Sequence, residues 1–446
     1  MNFGDYLRNL LSEKQVSIAE LAKKLNIKSK NEIYRLFQNK HSYEKTSELT
    51  EKILSVVQVS QGERNELYNL MNECKIGYSE RKANRILSKL YAKERSGESP
   101  KFMPFINFIK ENSQKDITVY VGMIQENQCV ILSKLLNEYP NLKVIHTVDF
   151  NTTDEKIASQ LFAVITFFQN NNHRLFEKSG QTDNAVLAVV KDESICKMAV
   201  FDNNTFCESD ISAEMADYIN EKKLEACGEE LKQNRVKMGD YEQMLEYTCA
   251  CDLNETYVIH GMICLAEIPF KILYRLFEDA NYFGFPLEHP FIQSILGVEK
   301  KHDEFRNNSD VTHFYLMSEN YLKKFLQTGV TSGYINEFRP LNLDERIETL
   351  KMFEYSGHGV RYKCRFFKEG YDVIDTECCS IDNVGVYITD SQSTPKKTYM
   401  QAVISHPKAM RVFRSFSKWF WDSCMYSDEE SRDMLDKYVE ELKKAE

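Results

Sequence analysis

One short stretch near the amino terminus constrains the fold more than any other, because it carries the start and stop signals of two helices. Ser17 with Glu20, and Ser29 with Glu32, have the spacing of a capping box at the start of a helix. Asn26 lies where the chain must leave the first helix, and asparagine tolerates the left-handed backbone conformation. Apolar side chains at helical spacing give each helix one inward face. The pattern predicts two short helices joined by a tight turn.

The outward face of the second helix has the chemistry of a DNA-reading surface. Arginine and lysine can donate to guanine, asparagine and glutamine can pair with adenine, and one helix fits the major groove. The candidate DNA-binding residues are Ser29, Lys30, Asn31, Tyr34, Arg35, Gln38, Lys40 and His41. A solvated helical hairpin with a basic surface is the alternative. The capping signals, the small Ala22 between the helices and the basic second helix together favour DNA.

Neighbouring segments extend this pattern. Amphipathic helices are expected at 2–14, 46–57 and 63–71. With the segments LAKKLNI, EIYRLFQNK and TEKILSVVQVSQGERNEL, the chain resembles the lambda-repressor or Cro-like family, also called the XRE family. The resemblance covers residues 1–75 and implies an all-α helix-turn-helix head that binds double-stranded DNA. Two departures are Asn26 in place of the usual turn glycine and a turn one residue longer before Ile33.

The charge distribution separates this head from the rest of the chain. The 446 residues carry a net charge of −10, which alone would argue against nucleic acid. Residues 1–100, however, hold 18 Lys and Arg against 13 Asp and Glu, whereas the remaining 346 residues hold 39 against 54. A basic head on an acidic body suits a DNA-reading module attached to a second function.

The rest of the chain predicts a multidomain protein with a mixed α/β (α+β) body. The expected order is a head at 1–75, a helical connector at 76–100, an α/β region at 101–235, a mainly helical region at 236–343, and an α+β region with C-terminal helices at 344–446. One long helix is expected from Asp154 to about Lys178. Strand-rich segments near 117–205 and 344–405 suggest a duplicated body, although no residue-level repeat supports it.

The sequence contains few features of metal-binding proteins, membrane proteins or enzymes. None of the 12 cysteines forms a C-x-x-C pair, so we expect no metal or cofactor and a reduced, cytoplasmic protein. No apolar run approaches the ~20 residues that span a bilayer, so we expect no membrane contact. The usual phosphate-binding and hydrolase motifs do not occur, and we expect no enzyme.

The predicted function is a DNA-binding transcriptional regulator, with repression as its expected action. Its body would sense a small-molecule or peptide effector or mediate assembly. The alternatives are a constitutive dimeric DNA-binding protein and an enzyme with a regulatory DNA-binding head. We expect a homodimer formed chiefly through residues beyond 76, on an inverted repeat with half-sites about one helical turn apart. The aromatic helix 407–424 and the apolar stripe 86–91 offer surface for this dimer, although docking of the stripe within one chain is an equal alternative.

Overall fold

The computed structural model describes most of the chain. The described residues are 3–27, 29–38, 41, 43–93, 99–178, 180, 185–193, 195–233, 255–260, 268–280, 286–308, 312–330, 339–354, 361–372, 374, 376–381, 385–390 and 401–444. The chain divides into two compact units, Met1–Lys82 and Ala83–Glu446. Helices and two mixed sheets place it in the α+β class. None of the helices in the described ranges is long and apolar enough to cross a membrane.

The first unit is helical. Its elements are α1 (Phe3–Glu13), α2 (Ile18–Lys24), α3 (Lys30–Phe37), α4 (Tyr43–Val56) and the start of α5 (Gln61–Ser88). One apolar cluster joins them, with Leu7, Leu21, Ile33, Ile53 and Leu67 all almost fully buried. The inward faces expected from the helical spacing are therefore the faces that pack.

The expected break between the fifth helix and a connector helix does not exist. A single helix runs through Gln61–Ser88, and the boundary between the compact units falls within it. The segment between the two expected helices contains no proline, and its one glycine, Gly77, costs a helix only about 1 kcal/mol. Leu67 is buried near one end and Leu87 near the other, so both ends are held by packing.

The first sheet lies in the second unit. Its elements, after a short 3-10 turn at Pro100–Phe102, are α6 (Met103–Glu111), β1 (Asp116–Val121), α7 (Glu126–Glu138), β2 (Leu142–Val148), α8 (Asp154–Phe167), β3 (His173–Glu177), β4 (Val186–Lys191), β5 (Cys196–Asp202), β6 (Thr205–Ile211), α9 (Ala213–Glu225) and β7 (Glu229–Glu230). β1, β2 and β3 are parallel, whereas β4, β5 and β6 form an antiparallel meander beside β1. The strand order is β6-β5-β4-β1-β2-β3-β7.

The expected helix to Lys178 is wrong in its second half, where β3 follows α8. Three consecutive asparagines, at positions 170–172, favour a turn at this point. His173 and Leu175 then alternate with Arg174 and Phe176 between the two faces of the sheet, as a strand requires.

The second sheet also changes the expected organisation. Its elements are β8 (Lys232–Gln233), β9 (Glu255–His260), α10 (Phe270–Ala280), α11 (Pro290–Asn308), β10 (Thr312–Met317), α12 (Glu319–Thr328), α13 (Leu343–Glu354), β11 (Arg361–Phe366), β12 (Thr376–Ile381), β13 (Gly385–Asp390), β14 (Gln401–Ile404), α14 (Pro407–Cys424) and α15 (Asp428–Lys444). β9 and β10 lie in the middle region that we expected to be helical. Short apolar runs do not distinguish a buried strand from a buried helix, and these two runs pair with each other.

The two sheets repeat one topology. In the second sheet, β9, β10 and β11 are parallel, and β12, β13 and β14 form an antiparallel meander beside β9. The order β11-β10-β9-β12-β13-β14 thus matches β3-β2-β1-β4-β5-β6. The suspected duplication is present in the topology, but its second copy begins at Glu255 rather than near residue 344.

The sheets and helices of the second unit alternate in layers. α9 covers one face of the first sheet, and α7 and α8 pack on the other. α14 packs between this layer and the second sheet, whose far face carries α10 to α13 and α15. The aromatic side chains of α14 fill the largest core, with Phe413, Phe416 and Phe420 fully buried.

Both surfaces that we considered for a homodimer are internal to this unit, which is the intramolecular alternative for the stripe 86–91. Tyr91 is fully buried and its ring stacks on those of Phe367 and Phe416. Leu87 and Leu90 are also fully buried. The stripe 86–91 and the aromatic helix therefore pack against each other within one chain.

Candidate nucleic-acid interface

The turn between α2 and α3 is fixed by backbone hydrogen bonds. The Ser17 hydroxyl accepts from the Glu20 amide at 3.2 Å, which caps the start of α2. At its end, Asn26 has φ 51°, the amide of Ile27 donates to Ala22 at 2.9 Å, and the amide of Asn26 donates to Lys23 at 3.2 Å. These two bonds define a Schellman motif. The sequence signals at Ser17 and Asn26 therefore describe the turn correctly.

α3 begins with a side-chain cap that differs in detail from the expected box. The Ser29 hydroxyl accepts from the amide of Asn31 at 3.3 Å, whereas the Glu32 amide donates to the Ser29 carbonyl at 3.1 Å. Ile33, Leu36 and Phe37 are buried, as the helical spacing predicts.

A close contact with α1 sets the position of α3. Gly4 is buried at the crossing, where a Cβ atom would lie 2.0 Å from the Phe37 carbonyl oxygen. The guanidinium of Arg8, one turn further along α1, lies 5.4 Å from the centre of the Phe37 ring. Only glycine allows this approach, so α1 is the support against which α3 presents its outward face.

The outward face of α3 is exposed along its whole length. Lys30, Asn31, Tyr34, Arg35 and Gln38 are all solvent-exposed. The Tyr34 side chain is 46% exposed, and its ring meets Phe37 edge-on, with 6.5 Å between the ring centres. A donor-rich, amide-bearing surface with one aromatic ring can hydrogen-bond base edges and phosphates.

The cations on this face are available to a ligand. Lys30 and Arg35 form no ion pair with any described residue. Two exposed cations of the flanking helices differ, because Lys24 pairs with Glu20 at 2.9 Å and Lys52 pairs with Glu48 at 2.6 Å. Hydrogen bonds from Lys52 and Lys45 hold the pKa of the Glu48 carboxyl below its ordinary value.

Two of the candidate residues stand apart from this face. His41 is half-buried, and its Nε2 donates to the Glu32 carbonyl oxygen at 2.8 Å. Its ring is thus tied to the backbone of α3, which leaves Nδ1 as its second polar atom. Lys40 lies outside the described residues, so its role as a phosphate contact stays a prediction from the sequence.

The second unit contains two buried histidines that sequence reasoning did not single out as a pair. His146 and His173 lie on adjacent strands with 5.6 Å between their ring centres, and their ring nitrogens have no hydrogen-bond partner among the described residues. Burial lowers the pKa of His146 to about 3. Burial, followed by the charge of Lys232, lowers the pKa of His173. Both rings are therefore neutral and belong to the core.

Other chemistry that the sequence left open finds no support in the described ranges. No group of three or more His, Cys, Asp or Glu side chains there is arranged to hold a metal ion. The cysteines resolved in those ranges are free thiols, and Cys129, Cys196, Cys378 and Cys424 are buried. The segment Ser356–Gly359, whose glycines suit either a helix C-cap or an approach to a ligand, lies outside the described residues. No protein-family model matches the sequence, and a search of curated proteins also returns no match.

Proposed function

We propose that this protein is a sequence-specific DNA-binding transcriptional regulator of the helix-turn-helix type, with α2 and α3 as its two characteristic helices. The observation that carries the proposal is the outward face of α3, where two cations, two amides and a tyrosine are exposed together, and neither cation has an ion pair within the described part of the chain. The firm support of α3 by Gly4 and the Schellman turn before it also favour this function, because base readout requires a positioned helix.

Arg35 and Asn31 are assigned to base edges in this proposal. Both are exposed on the helix. An arginine can donate two bonds to guanine O6 and N7, and an asparagine can donate to adenine N7 and accept from adenine N6. Lys30 at the start of the helix and Lys40 beyond its end are assigned to phosphates, which give affinity without sequence preference.

In this proposal, the second unit forms the homodimer and binds the effector. A single recognition helix reads too few base pairs to select one genomic site, so the proposal includes a homodimer on an inverted repeat. The surfaces first expected to form that dimer are buried within one chain, so another surface must form it. Repression is the expected action, with a small-molecule or peptide effector as the signal.

Selection from a random pool of duplex DNA tests this function directly. We expect the full-length protein to enrich an inverted repeat whose half-sites lie about one helical turn apart. Enrichment of a single half-site would remove the dimer from the proposal. Failure of the folded protein to enrich any sequence would contradict sequence-specific DNA binding itself.

A further inference from the structure

The outer face of the first sheet is only partly covered. In the second sheet the equivalent face is covered by α14, which has 18 residues, but α9 has only 13. An open cleft of about 490 Å³ remains beside α9, over the amino-terminal halves of the parallel strands. Its volume lies within the usual range for sites that bind small molecules. The duplicated fold therefore leaves a space in its first copy that its second copy fills.

The cleft has an apolar and hydroxylic floor with a charged rim. Thr118, Tyr120 and Ile145 form the floor, and Asn220 and Leu224 of α9 form one wall. The rim and remaining lining residues are Asp116, Lys143, Asn171, Asn172, Arg174 and Lys191. Three cations thus face one carboxylate among the lining side chains.

The wall of the cleft carries an available hydrogen-bond donor. The Tyr120 hydroxyl donates to Oδ1 of Asn220 at 2.8 Å. Burial, with a smaller effect of Cys227, raises the pKa of Tyr120 to about 12, so the phenol keeps its proton at neutral pH. Asn220 accepts this bond through its oxygen, and its amide nitrogen then remains a donor.

Two of the three rim cations already bind carboxylates. Arg174 makes two parallel bonds to Glu230, at 2.9 and 2.7 Å, and Lys191 pairs with Asp217. Lys143 has no ion pair with any described residue. Arg174 and Glu230 are 46% and 37% exposed, so water screens their attraction even though the pair is bidentate. A ligand carboxylate that reaches Lys143 as well as Arg174 gains a second cation, and it can therefore compete with Glu230.

We propose that this cleft binds a small organic carboxylate. The ligand carboxylate lies between Lys143 and Arg174 and replaces Glu230, while its apolar part packs on Ile145 and Leu224. The strand register allows this arrangement, because Arg174 is paired with Ile145 and Lys143 is two residues away on the same face. Bidentate pairing with arginine gives the geometric selectivity for a carboxylate.

Release of Glu230 connects the cleft to the second sheet. Glu230 lies in β7, which pairs with β3, and the next residues form β8, which pairs with β14. A ligand that displaces Glu230 breaks its ion pair with Arg174 and so removes one contact of the segment that joins both sheets. This inference rests on the proposed function, for which it supplies the effector site, but it is tested without DNA.

Binding of phenylacetate and hexanoate to the full-length protein, each compared with its neutral amide, tests the proposal by calorimetry and saturation-transfer NMR. We expect at least one carboxylate to bind and its amide to bind about tenfold more weakly. Absence of binding by both carboxylates at about 10 mM would overturn the proposal. Because no DNA is present, this failure would leave the proposed DNA binding standing.

Four variants locate the ligand. Lys143→Ala and Leu224→Trp should each weaken carboxylate binding about tenfold, by loss of charge and by filling the cleft. Met215→Trp is the matched control, because Met215 is exposed on the other flank of α9 and does not line the cleft. Glu230→Gln should tighten binding about two- to fivefold, since it removes the competing carboxylate. Weaker binding by Glu230→Gln, or equal effects of the two tryptophans, would contradict the assigned position.

Discussion

At the scale of single residues, the first unit depends on a few positions where the backbone leaves ordinary conformations. Asn26 ends α2 with φ 51°, and Gln15 ends α1 in the same way with φ 55°. Each is followed by a partly buried apolar residue, Ile27 or Val16, which packs on the core of the unit. Local conformation and packing therefore agree at both turns.

Substitution of Asn26 tests the importance of the turn before α3. We expect Asn26→Val to destabilise α2 and α3 by about 1–2 kcal/mol, because a β-branched side chain is strained at positive φ. Hydrogen exchange of the amides in both helices measures this change. Asn26→Gly is the control and should remain close to the original stability, since glycine adopts positive φ freely. Equal protection in the two variants would contradict the role assigned to this turn.

The buried histidines predict how stability depends on pH. His146 and His173 are neutral in the folded protein, whereas in the unfolded chain each binds a proton below about pH 6.5. The unfolded state then holds more protons, so stability is complete above pH 6.5 and falls at lower pH. Below that pH, the free energy of unfolding falls by about 1.4 kcal/mol per histidine for each pH unit.

Urea unfolding of the second unit between pH 7.5 and 5.5 measures this dependence. Hydrogen bonds from Arg339 lower the pKa of Glu345, and a hydrogen bond from Arg365 lowers the pKa of Asp428. These two carboxyls therefore titrate at lower pH than the histidines of the unfolded chain. His146→Leu should flatten the slope by about half. An unchanged slope in this variant would show that other groups control the effect.

At the scale of elements, the sequence described the first unit well where local signals and burial coincide. The caps at Ser17 and Ser29 and the inward faces of α1 to α4 follow from spacing alone. The close approach at Gly4 does not follow from spacing, because a glycine inside a helix does not reveal which other element packs against it. The continuous α5 was missed for a similar reason, since its ends are fixed by packing.

Gly4→Ala tests whether the crossing of α1 and α3 supports the candidate interface. The added methyl group would collide with the Phe37 backbone, and we expect a loss of about 1–3 kcal/mol in the first unit. Hydrogen exchange in α1 and α3 measures it. Gly62→Ala is the matched control, because the nearest atom to its new Cβ is 4.0 Å away. Similar protection in the two variants would contradict a tight crossing.

At the scale of the whole molecule, the sequence indicated the class of the fold but not its organisation. β9 and β10 are short apolar runs, and only their pairing with each other and with β11 and β12 identifies them as central strands. Non-local pairing of this kind leaves no local signature. The duplicated topology, and with it the cleft beside α9, therefore became visible only in three dimensions.

For the candidate DNA-binding residues, too, the sequence predicted some structural features and missed others. Helical spacing correctly placed Lys30, Asn31, Tyr34, Arg35 and Gln38 on one exposed face. It did not reveal that His41 folds back to the Glu32 carbonyl, because that contact joins residues nine positions apart. The periodicity of a helix predicts its own faces, but not the contacts of the loop that follows it.

The affinity of the Arg35→Ala variant for the selected duplex tests the central claim most directly. Fluorescence anisotropy at one fixed salt concentration should show a loss of about 5- to 150-fold, as expected for an arginine that reads a base, with relaxed preference at one position. Arg81→Ala is the matched control, because it removes an exposed arginine of the same unit from a different helix. The account predicts a much smaller loss for this control. Equal losses in the two variants, with the same sequence preference, would contradict DNA reading by α3.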